Sequence, residues 1–278
     1  MLHKVSIKHR IPYITIRRGI LSVEGNGFSF EQGMEKTLIP VSKFLIIFIE
    51  PGVSITHRAV ELAAKLGTLL IFTSEGGTRL YSMGTLWNKN NSNMIMQSKA
   101  AFSVRDKKKV LNEMFKIRFG EYPPRRNLSE DELRGHEGAR VKAIYKFYAN
   151  KYNVVWNGRS YVREDGLLIH NDVVNQAISH ANFALYSVTE AVIHALGYSP
   201  AIGFMHSGTN IAFVLDIADL IKFETTVPLA FKLANTSDFS RINKDVRLKC
   251  RDLFQEEKII EKIIDLIEKI FEPIKDKY

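Results

Sequence analysis

The chain has 278 residues, 45% hydrophobic and 25% charged, the balance of a soluble globular protein with room for one large domain or two ordinary ones. The formal net charge of +9 points to a polyanionic partner, nucleic acid first, and residues 1–88 carry 10 Lys/Arg against 6 Asp/Glu, so the excess acts through local clusters rather than one basic tail. A single cysteine, Cys250, excludes an intrachain disulfide, the charge-broken N-terminus excludes a secretory signal, and the apolar run 44–49 is far too short for a bilayer, so a reducing, cytoplasmic protein without membrane association is expected.

The first third reads as β structure. Short runs rich in β-branched and aromatic residues recur between glycines and prolines: Tyr13–Ile16, Leu21–Val23, Phe28–Phe30, Phe44–Ile49, Leu69–Phe72 and Arg79–Tyr81. Glu24–Gly27 and Glu75–Gly77 are turn signals. One helix interrupts them, capped by Thr56, with Val60, Ala63, Ala64 and Leu66 on its inner side and Gly67 at its end. The pattern predicts a small, mostly antiparallel, sandwich-like β domain over residues 1–86. The asparagine-rich stretch 87–94 reads as a linker, and 95–278 as an all-helical domain, giving an α+β chain.

In the helical part, Ser129 and Glu132 form a capping box that opens a helix to about Asn150. Asn171/Asp172 begin another, whose stripe of Ala177, Ala181, Ala184, Val188, Ala191 and Ala195 is small enough for close helix approach; Gly197 closes it. It reads as the central helix of a bundle. Further helices are expected over about 212–234, 241–254 and 255–271, the last with isoleucines on one broad face.

Ionisable residues stand where apolar ones belong. Glu137 falls on the stripe of Leu133, Val141, Ile144 and Tyr148, between Gly135 and Gly138. Two interior glycines cost about 1 kcal/mol each against alanine, which suggests a close backbone approach. A buried glutamate must be paired, protonated or metal-bound; an ion pair with Arg134 or Arg140 is the plain alternative. Asp216 and Asp219 are i,i+3 neighbours in an apolar helix, so both project from one side, where a divalent cation would relieve their repulsion. The alternative is one solvated aspartate and one paired with Lys222. His206 stands in a loop before the aspartates, able to ligate a metal or move a proton. No Cys/His spacing fits zinc.

The segments ELRGHEGARVKAIYKFYANKY, VNQAISHANFALYSVTEAVIHALGYSPAIGFMHSG and FVLDIADLIKFETTVP, in this order, resemble the universal CRISPR-associated integrase and endonuclease family, most closely the variant that accompanies the type I-E Cascade system. The resemblance covers roughly residues 12–255. It implies an N-terminal β domain that dimerises and a helical catalytic domain. It implies metal ligands at Glu137, His206 and Asp219, with Asp216 as an accessory acid, and Mg²⁺ or Mn²⁺ as the cofactor. The implied reaction is insertion of protospacer DNA into the CRISPR array by 3′-OH transesterification, with double-stranded and branched DNA as partners. A homodimer is implied, two of which a small ferredoxin-like CRISPR-associated protein would bridge. Candidate DNA contacts are Arg79, Arg125, Arg126, Arg134, Arg159, Lys222, Lys244, Arg247 and Arg251, with Tyr161 and Tyr186 as aromatic candidates. The alternatives are a structure-specific nuclease acting on branched DNA in repair, or a DNA-binding scaffold that has lost catalysis.

Overall fold

The computed structural model describes residues 6–75, 80–84, 91–120, 130–159, 162–164, 167–169 and 172–277; for Val41, Leu80, 130–137, 162–164 and 167–169 it describes backbone alone. Strands come first: β1 Ile11–Ile16, β2 Gly19–Glu24, β3 Gly27–Gln32, β4 Glu35–Ile39, β5 Phe44–Ile49 and β6 Val53–Ile55, then helix α1 His57–Leu66, β7 Leu69–Thr73 and β8 Leu80–Met83. Helices follow: α2 Ser92–Phe102, α3 Val104–Phe119 and α4 Glu130–Lys151, a β9–β10 hairpin (Val162–Glu164, Leu167–Ile169), then α5 Val173–Ala195, α6 Ala212–Ala218, α7 Thr226–Ala234, α8 Ile242–Glu256 and α9 Ile259–Phe271. The fold is α+β, and no described helix is long and apolar enough to cross a membrane.

The sheets are mixed rather than mostly antiparallel. One has the order β1-β5-β7-β8 and the other β4-β3-β2-β6. The pairs β1/β5, β5/β7 and β2/β6 are parallel. The reason lies in β5, whose six residues are apolar without alternation. Such a strand must be buried on both faces. Ile47 and Ile49 join Leu21, Phe28, Leu62 and Leu66 in a core between α1 and the second sheet. Ile46 and Phe48 face the other way, into the core shared with α5, α8 and α9. The first sheet is therefore a wall common to both halves. Tyr13 of β1 donates from its hydroxyl to the carbonyl of Arg247, at 2.6 Å, across that wall.

α1 forms as its caps dictate: Thr56 Oγ1 accepts from Ala59 N–H, and Gly67 terminates the helix at φ +68°. Its buried face is Ala59, Leu62, Ala63 and Leu66; Val60, expected inside, is 43% exposed. α2 begins at Ser92, inside the stretch read as linker; 85–90 lie outside the described residues. α5 is the central helix, capped by Asp172 Oδ1 accepting from Asn175 N–H, and it touches α6, α7, α8, α9 and β5. Its stripe is buried from Ala177 to Ala191.

The helix expected over 212–234 is two. α6 ends at Ala218, residues 219–225 turn, and α7 restarts at Thr226. Pro228 has no N–H to donate back to the Glu224 carbonyl, and both the N–H and the Oγ1 of Thr225 donate to the Ile221 carbonyl. Among the described side chains of α4 the buried ones are Tyr145 and Ala149, while Val141, Ile144 and Tyr148 are only half-buried. Among the described residues, a Cβ placed on Gly138 would meet nothing within 4 Å.

Glu190 lies buried in α5, four residues before half-buried His194. Burial pushes the Glu190 carboxyl from 4.5 up to about 7 and holds His194 below its usual 6.5. The folded state therefore favours protonated Glu190. Stability is full below the unfolded value near 4.5 and falls as pH rises to about 7. Glu190→Gln should flatten that slope, gaining on the order of 2 kcal/mol relative to the parent between pH 4.5 and 8, as measured by urea denaturation at each pH.

Candidate functional site

The loop between α5 and α6 is built around one carboxylate. Asp216 is fully buried in α6. Its Oδ2 accepts from the N–H groups of Phe204 (2.5 Å) and Met205 (3.1 Å). Its Oδ1 accepts from His206 N–H at 2.9 Å and from His206 Nδ1 at 2.8 Å. A carboxylate can only accept, so the imidazole proton sits on Nδ1, and Nε2 is left as the lone-pair nitrogen of the neutral ring. A tight turn holds the loop: a Cβ on Gly203 would lie 2.5 Å from the His206 carbonyl and 2.8 Å from the Ala212 Cβ. Beneath it Phe204 packs edge-on to Phe271 and Phe213.

The two aspartates, three residues apart, meet different partners. Asp216 turns to the 204–206 loop, whereas Asp219, the cap residue of α6, meets two cations. Lys222 Nζ donates to its Oδ1 at 2.5 Å, and the Arg118 guanidinium lies 3.8 Å from its Oδ2, both in largely buried surroundings. The hydrogen bond to Asp216 raises the pKa of His206 against the opposing pull of burial, and the charges of Asp216 and Asp219 add to the rise. Asp219 is thus near enough to His206 to bias its charge.

The charge of Asp219 also reaches two phenols. Burial raises the pKa of Tyr186, and the Asp219 charge raises it further. Burial also raises that of Tyr145, with Asp219 again contributing. Both hydroxyls stay protonated and can act as donors.

The other candidates are dispersed. Glu137 and Arg134 sit in α4, but their side chains lie outside those described; Arg79, Arg125, Arg126 and Tyr161 lie outside the described residues. Arg247, expected on DNA, is an ion-pair partner of Glu50 at the junction of β5 and α8. Arg251 pairs with its neighbour Asp252, and Lys244 is exposed on α8. Arg159 donates to Asn175 and Ser179, bracing the start of α5. Among the described residues no three His, Cys, Asp or Glu side chains gather as a metal group; His206 and Asp219 are the described pair.

Arg118 escaped the sequence reading, yet its signal was present. In α3 the buried residues are Asp106, Val110, Met114 and Arg118, at steps of four, so an arginine ends an apolar stripe. The same anomaly of position had singled out Glu137.

Residues 105–268 match the family model described as CRISPR associated protein Cas1, more than half of the chain. The chain belongs to the Cas1 family. It is 42% identical to the CRISPR-associated endonuclease Cas1 of Escherichia coli K12 over 270 residues, 97% of this chain and 87% of that protein. It is 38% identical to the corresponding protein of Geobacter sulfurreducens over 273 residues, again 97% and 87%. Among solved structures, the TtCas1–DNA complex is similar with a TM-score of 0.81 at 32% identity, covering 93% of this chain and 91% of that one. The Cas1 match runs from α3 into α9, and so takes in Arg118, position 137, His206, Asp216, Asp219 and Lys222.

Asp216→Asn tests the loop architecture. The amide keeps the shape but loses the charge and half of the acceptor capacity. Unfolding free energy should fall by about 1.5–3 kcal/mol, the range for hydrogen bonds to a charged group, as read from urea denaturation.

Proposed function

We propose that this Cas1-family chain is a divalent-metal-dependent DNA endonuclease and integrase that inserts protospacer DNA into the CRISPR array. The observation that carries the reading is His206, whose Nδ1 is fixed on buried Asp216, which leaves Nε2 as the ligating nitrogen of a ring whose charge Asp219 also favours. An imidazole oriented by a carboxylate through its other nitrogen is the usual arrangement around a metal-ligating histidine. The donor set fits Mg²⁺ or Mn²⁺: Asp219 and His206, with Glu137 as the third ligand. When bound, the cation would supply Lewis-acid stabilisation of the charge developing on the scissile phosphate.

The chain's own residues do the rest. Lys222 neutralises Asp219 and would meet a phosphate brought to that carboxylate. Tyr186 and Tyr145, held protonated, can donate to phosphate oxygens but are poor nucleophiles. This suits direct attack by a DNA 3′-OH without a covalent protein intermediate. The endonuclease names of the relatives and the DNA complex of a 32%-identical structure support nucleic acid as substrate. Double-stranded and branched DNA, a homodimer through the β-rich half, and a small ferredoxin-like bridging protein complete the reading. With water as the attacking group the same residues would cut branched DNA; strand transfer into a supercoiled repeat-bearing plasmid separates the two outcomes.

Asp219→Asn and Glu137→Gln should each lower strand transfer by roughly 10²–10³-fold or more, the size of losing one group that stabilises transition-state charge. Chelation should do the same to the parent protein; activity surviving exhaustive EDTA treatment would exclude the mechanism. DNA affinity measured by anisotropy should fall about 10³–10⁵-fold between about 50 and 200 mM salt if 6–10 phosphates are contacted.

A further inference from the structure

The chain between the end of α5 and His206 passes α2, and two side chains of α2 hold it. Asn93 and Gln97 are four residues apart and share one face of that helix. Asn93 Nδ2 donates to the Leu196 carbonyl at 2.7 Å, where α5 stops. Gln97 has no solvent exposure and meets the same stretch three times. Its Nε2 donates to the carbonyls of Ser199 at 2.9 Å and Ile202 at 2.8 Å, and its Oε1 accepts from Ser199 N–H at 2.8 Å. Both amide protons are used, so the side chain cannot turn over without losing all three bonds.

These bonds go to a stretch that has little other support. Tyr198 and Phe204 anchor its two ends on the Phe271 ring of α9, stacked at 5.1 Å and edge-on at 5.7 Å. Between them, among the described residues, one bond joins backbone to backbone, from Phe213 N–H to the Pro200 carbonyl at 2.8 Å. A buried glutamine takes up the polar groups that remain at Ser199 and Ile202.

The place where Gln97 holds the chain decides what it does. Ile202, whose carbonyl it binds, and Phe204, whose N–H binds Asp216, flank Gly203. Gly203 is the residue at which a Cβ would strike the His206 carbonyl and Ala212. The His206 loop is thus pinned from α2 on one side of a single tight residue and from α6 on the other. Asp216 alone would let the loop rock about α6; a second hold from another helix removes that freedom. Ser199, Ile202 and Gly203 are only half-buried, so water can take over their polar groups if Gln97 is lost. The loss then falls on the position of the loop more than on the stability of the fold.

We infer that Gln97 is a positioning residue for His206, setting the loop from α2 so that the imidazole is presented to the cation held by Asp219. The inference rests on the reading of His206 and Asp219 as metal ligands. It adds to that site a helix that supplies no ligand of its own.

The test compares the full-length parent with Gln97→Met, which keeps the side chain's volume and removes all three bonds, and with Asn93→Ala, which frees only the Leu196 end. Amide hydrogen exchange is read residue by residue in EDTA. In the parent, Ser199 should exchange as slowly as residues 204–206, as one cooperative unit. In Gln97→Met these amides should exchange about tenfold faster or more, as expected for several lost hydrogen bonds, while the interior of α5 keeps its rate. Asn93→Ala should leave residues 204–206 unchanged. Mn²⁺ affinity, measured by electron paramagnetic resonance without DNA, should weaken by about 10- to 100-fold in Gln97→Met, the cost of losing a group that orients a ligand. The KM for DNA should not move. A uniform rise in exchange through α5 and the loop, an equal effect of Asn93→Ala, or unchanged Mn²⁺ affinity in Gln97→Met would overturn the inference. Should Gln97→Met not fold, the parent decides, since Ser199 exchanging faster than residues 204–206 also overturns it. If the parent binds no Mn²⁺ while Gln97→Met still loosens the loop, the metal reading of His206 has failed and the clamp on the loop stands.

Discussion

A carboxylate with no solvent contact must have its acceptor capacity met by the protein, and Asp216 imposes that condition on everything around it. Its partners are three consecutive backbone N–H groups, of Phe204, Met205 and His206, and the His206 ring. Displacing the loop would orphan all four together. The aromatic packing of Phe204, the space that only a glycine leaves at 203, and the short length of α6 all serve that arrangement. The outcome is a histidine whose tautomer and direction are settled before any ligand arrives.

Asp219 is handled differently. Three residues later on the same turn it faces cations instead of amides, Lys222 on one oxygen and Arg118 on the other. Amide partners fix a carboxylate in a loop, whereas an ammonium on a flexible stem can give way to a competing cation or move to a phosphate. The two aspartates thus divide the work, one orienting and one available. Arg118, in the last turn of α3, ties that available carboxylate to the end of that helix.

The two halves of the chain are joined by a strand rather than merely a linker. β5 contributes Ile47 and Ile49 to one core and Ile46 and Phe48 to the other. The ion pair of Arg247 with Glu50, and the Tyr13 hydroxyl on the Arg247 carbonyl, seal the same wall with polar contacts. A basic residue that looked free in the sequence is committed to holding the sheet against α8.

Much was legible in one dimension. The β-rich first third, the caps of α1 and α5, the small-residue stripe of the central helix and the unbroken apolar run of β5 are local patterns, and local patterns report period and burial directly. The displaced ionisable residues Asp216 and Asp219 could be picked out because helical spacing reveals a charge among apolar neighbours, while the set of Glu137, His206 and Asp219 came from resemblance of the surrounding motifs. What spacing could not decide is which partner each one meets. Residues three apart on a helix look equivalent, yet one turned to a loop ten residues back and the other to a helix far upstream. The break between α6 and α7, the parallel pairing of the sheets, the commitment of Arg247 and the role of Arg118 likewise depend on contacts between distant segments. Periodicity specifies a face; only the packed chain specifies what that face touches.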